Sequence, residues 1–296
     1  MSALEKIYAA VTNEIVKALE AGTVPWNKPW SGKDAALNSK GKPYRGYNQM
    51  ILSFVKGMRK YTSNVWLTWK QIEALGGKVK AENTKDHFNV IFYNWLDDKK
   101  NPGKKIPFLR YYRVYNFDAT ENVKLPASTI EATTVKNPLE FSPIESCEAI
   151  IAGYKDAPTF VNRDEQAYYR PSTDEINMPK RESFRSVEDF YSVLFHEINH
   201  STGAEKRLNR KTLTEMAPFG SAIYSEEELV AEMGAAMLCG VAGIGNKVIN
   251  QSAAYCAGWL RKIKNEPGIL IKAAGKAQKS CDYVLGVTFA KEEEAE

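Results

Sequence analysis

The sequence predicts a two-domain α+β protein, and three observations carry that prediction. The chain has 296 residues, more than one compact core ordinarily organises, so two domains are the natural division. Stretches with the apolar spacing of amphipathic helices occur beside stretches that alternate like half-buried strands. The charge is divided as well. Residues 1–125 hold 21 Lys+Arg against 11 Asp+Glu, a balance of +10, and residues 126–296 hold 19 against 25, a balance of −6, giving the net +4. A basic first half joined to an acidic second half implies two tasks, the first involving a polyanion.

The elements follow in order. MSALEKIYAAVTNEIVKALEAG reads as an amphipathic helix ending at Gly22. Its interspersed acids are unlike a secretory signal, which has a basic start and an unbroken apolar run, so the expected location is cytoplasmic. Pro25-Trp26-Asn27-Lys28-Pro29-Trp30 and Lys40-Gly41-Lys42-Pro43-Tyr44-Arg45-Gly46-Tyr47-Asn48 come next, then a helix from Gln49 to about Lys60, then Trp66-Leu67-Thr68-Trp69-Lys70-Gln71. Gly76–Lys80 reads as a turn entering a strand. His87–Trp95 and Leu109–Tyr115 alternate like paired strands, joined by the polar loop Asp97–Lys105. Between Asn116 and Phe141 the sequence is rich in Thr, Asn, Ala and Pro and loses periodicity. The expected organisation is a first domain over 1–125, a linker over 126–142 and a second domain over 143–296.

In that second domain a helix is expected from Ser142 to Tyr154. Short strands follow at Pro158–Val161 and Gln166–Arg170, and a turn with an edge strand at Pro171–Pro179. Closing helices are expected at Ile249–Lys264 and Ile269–Leu285. Cys147, Cys239, Cys256 and Cys281 are scattered without paired spacing and read as buried thiols in a reducing compartment. No apolar run approaches the roughly 20 residues that span a membrane.

Exposed aromatic rings beside Lys and Arg are what single-stranded DNA requires. Bases stack on rings at roughly 1–3 kcal/mol each, and the cations follow the phosphates with little sequence preference. The candidates in the basic half are Trp26, Trp30, Tyr44, Arg45, Trp66 and Trp69, each ring having a place in the core as its alternative. No helix-turn-helix, zinc finger or basic zipper speaks for duplex readout.

His196-Glu197-Ile198-Asn199-His200 is the most informative stretch. Positions four apart share a helix face, so the two imidazoles can reach one metal ion, and Glu197 between them can act as general base on a water activated by it. Ser186-Val187-Glu188-Asp189 supplies a helix start resembling a capping box, and Val187, Phe190, Tyr191, Leu194, Phe195 and Ile198 form the buried stripe. The alternative is a buried helix carrying two hydrogen-bonded histidines, although the chain has only three in all. A third histidine ligand six residues after His200 is excluded, because that position is Lys206. The pattern Glu228-x-x-Ala231-Glu232 instead offers Glu228 as third ligand, with Glu227 as the alternative and Glu232 as a carboxylate behind the ligands. Tyr224, beside this acidic start, is either an oxyanion donor or a packed ring. Zn2+ is the expected ion, with another divalent ion such as Mn2+ as a substitute.

GTVPWNKPW, KPYRGYN, VWLTWKQIEALGG and RYYRVYNFD, in that order, resemble the amino-terminal domain of ArdC-type antirestriction proteins. YRPSTDEINMP, FHEINHSTGAEKRLNR and YSEEELVAEMGAAML resemble the zincin-like metallopeptidase domain of the same family. The resemblance implies a protein of a plasmid or other mobile element that binds single-stranded DNA and helps incoming DNA escape restriction during conjugation. It also implies His196, His200 and Glu228 as ligands and Glu197 as the catalytic glutamate. Two functions stay open: a metallopeptidase acting on a protein of the restriction or DNA-transfer machinery, and a non-catalytic coat for single strands with a structural metal site.

Overall fold

In the computed structural model, which describes residues 3–25, 35–97, 105–134, 143–214, 222–245 and 253–287, the chain divides into two units. The first takes residues 1–25, 33–136 and 251–270, and the second takes 26–32, 137–250 and 271–296.

The first unit opens with α1 (Ala3–Glu20), whose buried Val11, Ile15, Ala18 and Leu19 recur at helical spacing. Helix α2 (Gly46–Arg59) is apolar on most of its surface, burying Met50, Ile51, Leu52, Phe54 and Val55, and Lys60 caps it in the left-handed region. A three-stranded sheet follows, in the order β1–β4–β3, with β1 at Trp66–Thr68, β3 at Phe88–Asp97 and β4 at Lys105–Asn116. Strands β3 and β4 form a long antiparallel ribbon from Phe88↔Val114 to Asp97↔Lys105, whereas β1 pairs with β4 only at Val114, Tyr115 and Asn116. The edge of β3 is closed by Asn48 of α2. Its amide Nδ2 donates to Ile91 O at 2.7 Å, and its Oδ1 accepts from Ile91 N–H at 2.8 Å, as a neighbouring strand would.

Helix α3 (Trp69–Ala74) starts on a capping box between Thr68 and Gln71. The minimal pair β2 (Lys78–Val79) and β5 (Thr120–Glu121) closes this end, over a core of Leu37, Val65, Leu67, Ile72, Val79 and Tyr115. Two segments depart from the expected boundaries. Residues Ala127–Thr134, expected as linker, form helix α4, which Thr129 ties to the first unit by donating to Ser39 O at 2.8 Å. Helix α9 (Ala253–Asn265), expected to close the second domain, packs on α1 in the first unit, and Lys264 meets Glu20 at 3.1 Å. Local apolar spacing specifies such a helix but not its distant partner.

The second unit contains α5 (Pro143–Gly153), a small sheet, α6 (Val187–Ser201), α7 (Lys211–Thr214), α8 (Ala222–Ala242) and most of α10 (Ile269–Val284). The sheet is ordered β6 (Thr159–Val161), β8 (Glu175–Asn177), β7 (Tyr168–Arg170), parallel between β6 and β8 and antiparallel between β8 and β7. The strand expected at an edge is therefore central, and its Ile176 and Asn177 are fully buried, while β7 holds the edge toward α6. Among the described residues no helix is long and apolar enough to cross a membrane.

Candidate functional site

Helix α6 starts on Ser186, whose Oγ accepts from Asp189 N–H at 3.1 Å, with Glu188 and Asp189 in the first turn where carboxylates suit the helix dipole. Phe190, Tyr191, Leu194, Phe195 and Ile198 are buried as the stripe requires, while Val187 at its start is exposed. Fixing that stripe leaves His196 and His200 on the other face, one turn apart. Their Nε2 atoms are 3.1 Å apart and the rings stand nearly perpendicular, at 80°.

Glu228 reaches them from α8, the two carboxylate oxygens standing 3.6 Å from His196 Nε2 and 3.6 Å from His200 Nε2. Close helix crossing makes this approach possible. At Gly234, a Cβ would sit 1.9 Å from Asn199 Oδ1, so a larger residue there must displace the Asn199 side chain packed between α8 and α6. A tetrahedral ion with bonds of roughly 2.0–2.1 Å holds its ligand atoms roughly 3.3–3.4 Å apart. The observed separations of 3.1–3.6 Å bracket that spacing, and two imidazoles with one carboxylate suit Zn2+ and Mn2+ alike. The three side chains fit a divalent cation as they stand.

Behind them lies a polar network that the sequence reading did not find. Glu227, buried, stands 3.4 Å from His200 Nδ1, so with Nε2 turned to an ion the Nδ1–H donates to its carboxylate. Arg210, also buried, grips Glu227 with both ends of its fork, at 2.5 and 3.1 Å, and Thr212 Oγ1 donates to the same carboxylate. The same guanidinium donates to Asn199 O at 2.7 Å, to Thr202 Oγ1 at 2.6 Å and to Ser280 Oγ at 2.8 Å, joining α6, α8 and α10. Gly203 makes room for it, since a Cβ there would meet Arg210 Nη2 at 2.8 Å. Glu232 is buried one turn beyond Glu228. The carboxylate found at a histidine's second nitrogen is Glu227, and among the described residues His196 Nδ1 has no hydrogen-bond partner.

Charge in the pocket favours a cation. Burial disfavours a protonated His200, but the carboxylates of Glu227, Glu228 and Glu197 outweigh it and push the ring up to about 9. Burial likewise opposes ionisation of Glu227, but hydrogen bonds from His200 and Arg210 hold its carboxyl well below the usual range. Glu197 lines the same cleft of about 440 Å³ as the ligands, with Tyr168, Tyr169 and Pro171 on one wall and Thr212 and Leu213 on another. Lys206, at the position of the excluded third histidine, bonds Asp174 at 2.7 Å instead. The side chain of Tyr224 lies outside the described residues.

The nucleic-acid candidates separate differently. Trp26 and Trp30 lie outside the described residues. Trp66 is a correction: its ring is fully buried, edge-on to Tyr61 and Phe88, because β1 turns it into the core, and it cannot stack a base. Tyr44 and Arg45 are half-buried, and burial pushes the Tyr44 phenol up to about 12. Trp69 is 43% exposed. The sequence read the strand at 109–115 without marking Tyr111, Tyr112 and Arg113, all of which are exposed.

Comparison with known proteins matches the two halves of the chain to two family models, the second of which runs on through the residues of α9. Residues 145–276 match a family model described as zincin-like metallopeptidase, and residues 5–115 match the N-terminal domain of anti-restriction factor ArdC. The uncharacterized protein y4eC of Sinorhizobium fredii (strain NBRC 101917 / NGR234) is 29% identical, over 94% of this chain and 91% of its own length. A DNA primase TraC of Escherichia coli is 31% identical over 96% of this chain, but the chain spans only 20% of that larger protein. Two crystal structures of the antirestriction ArdC protein from the R388 plasmid are similar throughout. The metal-free one has a TM-score of 0.71 at 33% identity, covering 94% of this chain and 96% of that one. The Mn(II)-bound one has a TM-score of 0.73 at 31% identity, covering 95% and 97%.

Proposed function

The chain belongs to the ArdC family of antirestriction proteins, and we propose that it protects incoming DNA of a conjugative or other mobile element inside the recipient's cytoplasm. In this reading the first unit binds single-stranded DNA, and the second carries a metallopeptidase site with His196, His200 and Glu228 as metal ligands and Glu197 as general base. The observation that carries the reading is the convergence of those three donors in a cleft that Glu197 also lines. A divalent cation held there supplies Lewis acidity toward water and a peptide carbonyl. Glu197 takes the proton from the attacking water and delivers it to the departing amine, which it can do because it sits buried between the two ligands on α6. The edge of β7 along the cleft can pair with the extended peptide of a protein from the restriction or DNA-transfer machinery.

A second reading is favoured by the way the three donors tie α6 to α8: a structural metal in a protein that acts only by coating DNA. Transfer of unmodified plasmid DNA into a restricting recipient separates the two, comparing wild type with Glu197→Gln. Loss of protection with metal binding retained is the result expected for hydrolysis. Undiminished protection rejects hydrolysis and leaves the coating role.

A further inference from the structure

We propose that single-stranded nucleic acid runs along the face of β4 that exposes Tyr111 and Arg113, stacking on Tyr111 and on Trp69 while Arg113 between them holds its phosphates. The inference rests on the first unit being a single-strand binder and names the surface that does it.

Alternate residues of β4 face alternate sides of the ribbon. Phe88, Val90 and Val114 lie on one side, at 5%, 5% and 0% exposure, with Tyr112 exposed further along it. Tyr111, Arg113 and Tyr115 form a row on the opposite side, across from Ile91 and Asn89 of β3, with Tyr115 buried in the core and Tyr111 and Arg113 exposed. At the end of that row Tyr115 is covered edge-on by Trp69, the ring centroids 5.8 Å apart, and the indole is oriented by its Nε1–H donating to Glu73 at 2.8 Å. The outcome is two large rings, 41% and 43% exposed, with an exposed guanidinium between them. Among the described residues Arg113 makes no ion pair, so its charge is available to a ligand.

Exposed rings of this size cost hydration unless something covers them, and a lone arginine between them selects an anion. A strand of bases and phosphates offers both in alternation, whereas an acidic peptide offers no succession of flat faces. Among the described residues, β4 pairs beyond Val114 toward the loop with β3 alone. The unit as a whole is strongly basic, with 24 Lys+Arg against 13 Asp+Glu in the segments that compose it, a balance of +11.

The test is fluorescence anisotropy of full-length protein with labelled oligothymidylate across a salt series, each variant first shown by circular dichroism to be folded. Tyr111→Ala and Trp69→Ala are each expected to weaken binding roughly five- to hundredfold with the salt slope retained. Arg113→Ala is expected to weaken binding and to lower the slope of log K against log salt by about 0.7, one single-strand phosphate contact. Tyr111 carries the test if Trp69→Ala proves unfolded, since its own ring projects into solvent. Wild type that binds while Tyr111→Ala and Arg113→Ala bind equally well overturns this surface and leaves the single-strand reading standing. Wild type that does not bind overturns both. Preference for a duplex competitor overturns the assignment of the strand as occupant.

Discussion

A single buried guanidinium organises the candidate metal site. Arg210 holds Glu227, Glu227 faces His200 Nδ1, and the imidazole is thereby turned with Nε2 toward His196 and Glu228. Glu227→Gln keeps the size but weakens the acceptor, and is expected to lower affinity for Zn2+ or Mn2+ about tenfold to hundredfold by titration calorimetry, with the fold unchanged. Arg210→Lys cannot reproduce the two-pronged grip and is expected to rescue only part of what Arg210→Ala loses. The shared face of His196 and His200 was legible because it follows from helical spacing, whereas Glu228 was one of two candidates in an acidic run on another helix. Arg210 was not, since in AEKRLNRK it looks like any cation on a solvated loop and only Gly203 hinted at a side chain packed close by. Asp174 is a separate residue-scale case. Burial opposes its ionisation, but hydrogen bonds from Arg207, Lys206 and Tyr169 outweigh that and hold the carboxyl well below its ordinary range. Its contribution to stability is complete above the unfolded-state value of about 3.9 and is lost as pH falls through the folded one. The thermal midpoint of the second unit is expected to fall on acidification below about pH 4, more steeply for wild type than for Asp174→Asn.

Between elements, the decisive event is the crossing of α6 and α8. Helix α6 could be drawn almost in full from its cap, its stripe and its histidines, and the acidic run Glu226–Glu228 was equally plain, although α8 begins a turn before it, at Ala222. What neither helix announces is how near the other lies, and that distance decides whether Glu228 reaches the histidines at all. Gly234 contributes to it, with the Asn199 side chain occupying the space where its own would be. Gly234→Ala is expected to destabilise the second unit by about 1–3 kcal/mol through overpacking and to weaken metal binding in parallel. Retained metal affinity in a destabilised variant would show that Glu228 follows α6 by another route. Strand pairing was similarly hidden: Pro171–Pro179 read as a turn and an edge strand, while the centrality of β8 depends on β6 and β7 from elsewhere in the chain. Trp66 shows the same limit, for an aromatic beside basic residues is spelled identically whether its strand turns it inward or outward.

For the whole molecule, the division of charge is sharper in space than along the chain. The segments of the first unit sum to +11 and those of the second to −7, because α9 takes Arg261, Lys262 and Lys264 out of the acidic half and into the basic unit. Chelation with EDTA is therefore expected to lower the unfolding midpoint of the second unit while oligothymidylate binding persists. A site saturated a hundredfold above its dissociation constant would contribute about 2.7 kcal/mol, lost with the ion. The return of α9 to α1 also has a consequence in time. Glu20 and Lys264 are separated by 244 positions, and everything between them must be made before that helix pair can close. At roughly 5–20 residues per second the nascent amino-terminal helix waits on the order of 12–50 seconds for its partner. A ribosome stalled before α9 would thus hold a basic unit whose first helix still lacks part of its cover, and in the cell that interval belongs to chaperones.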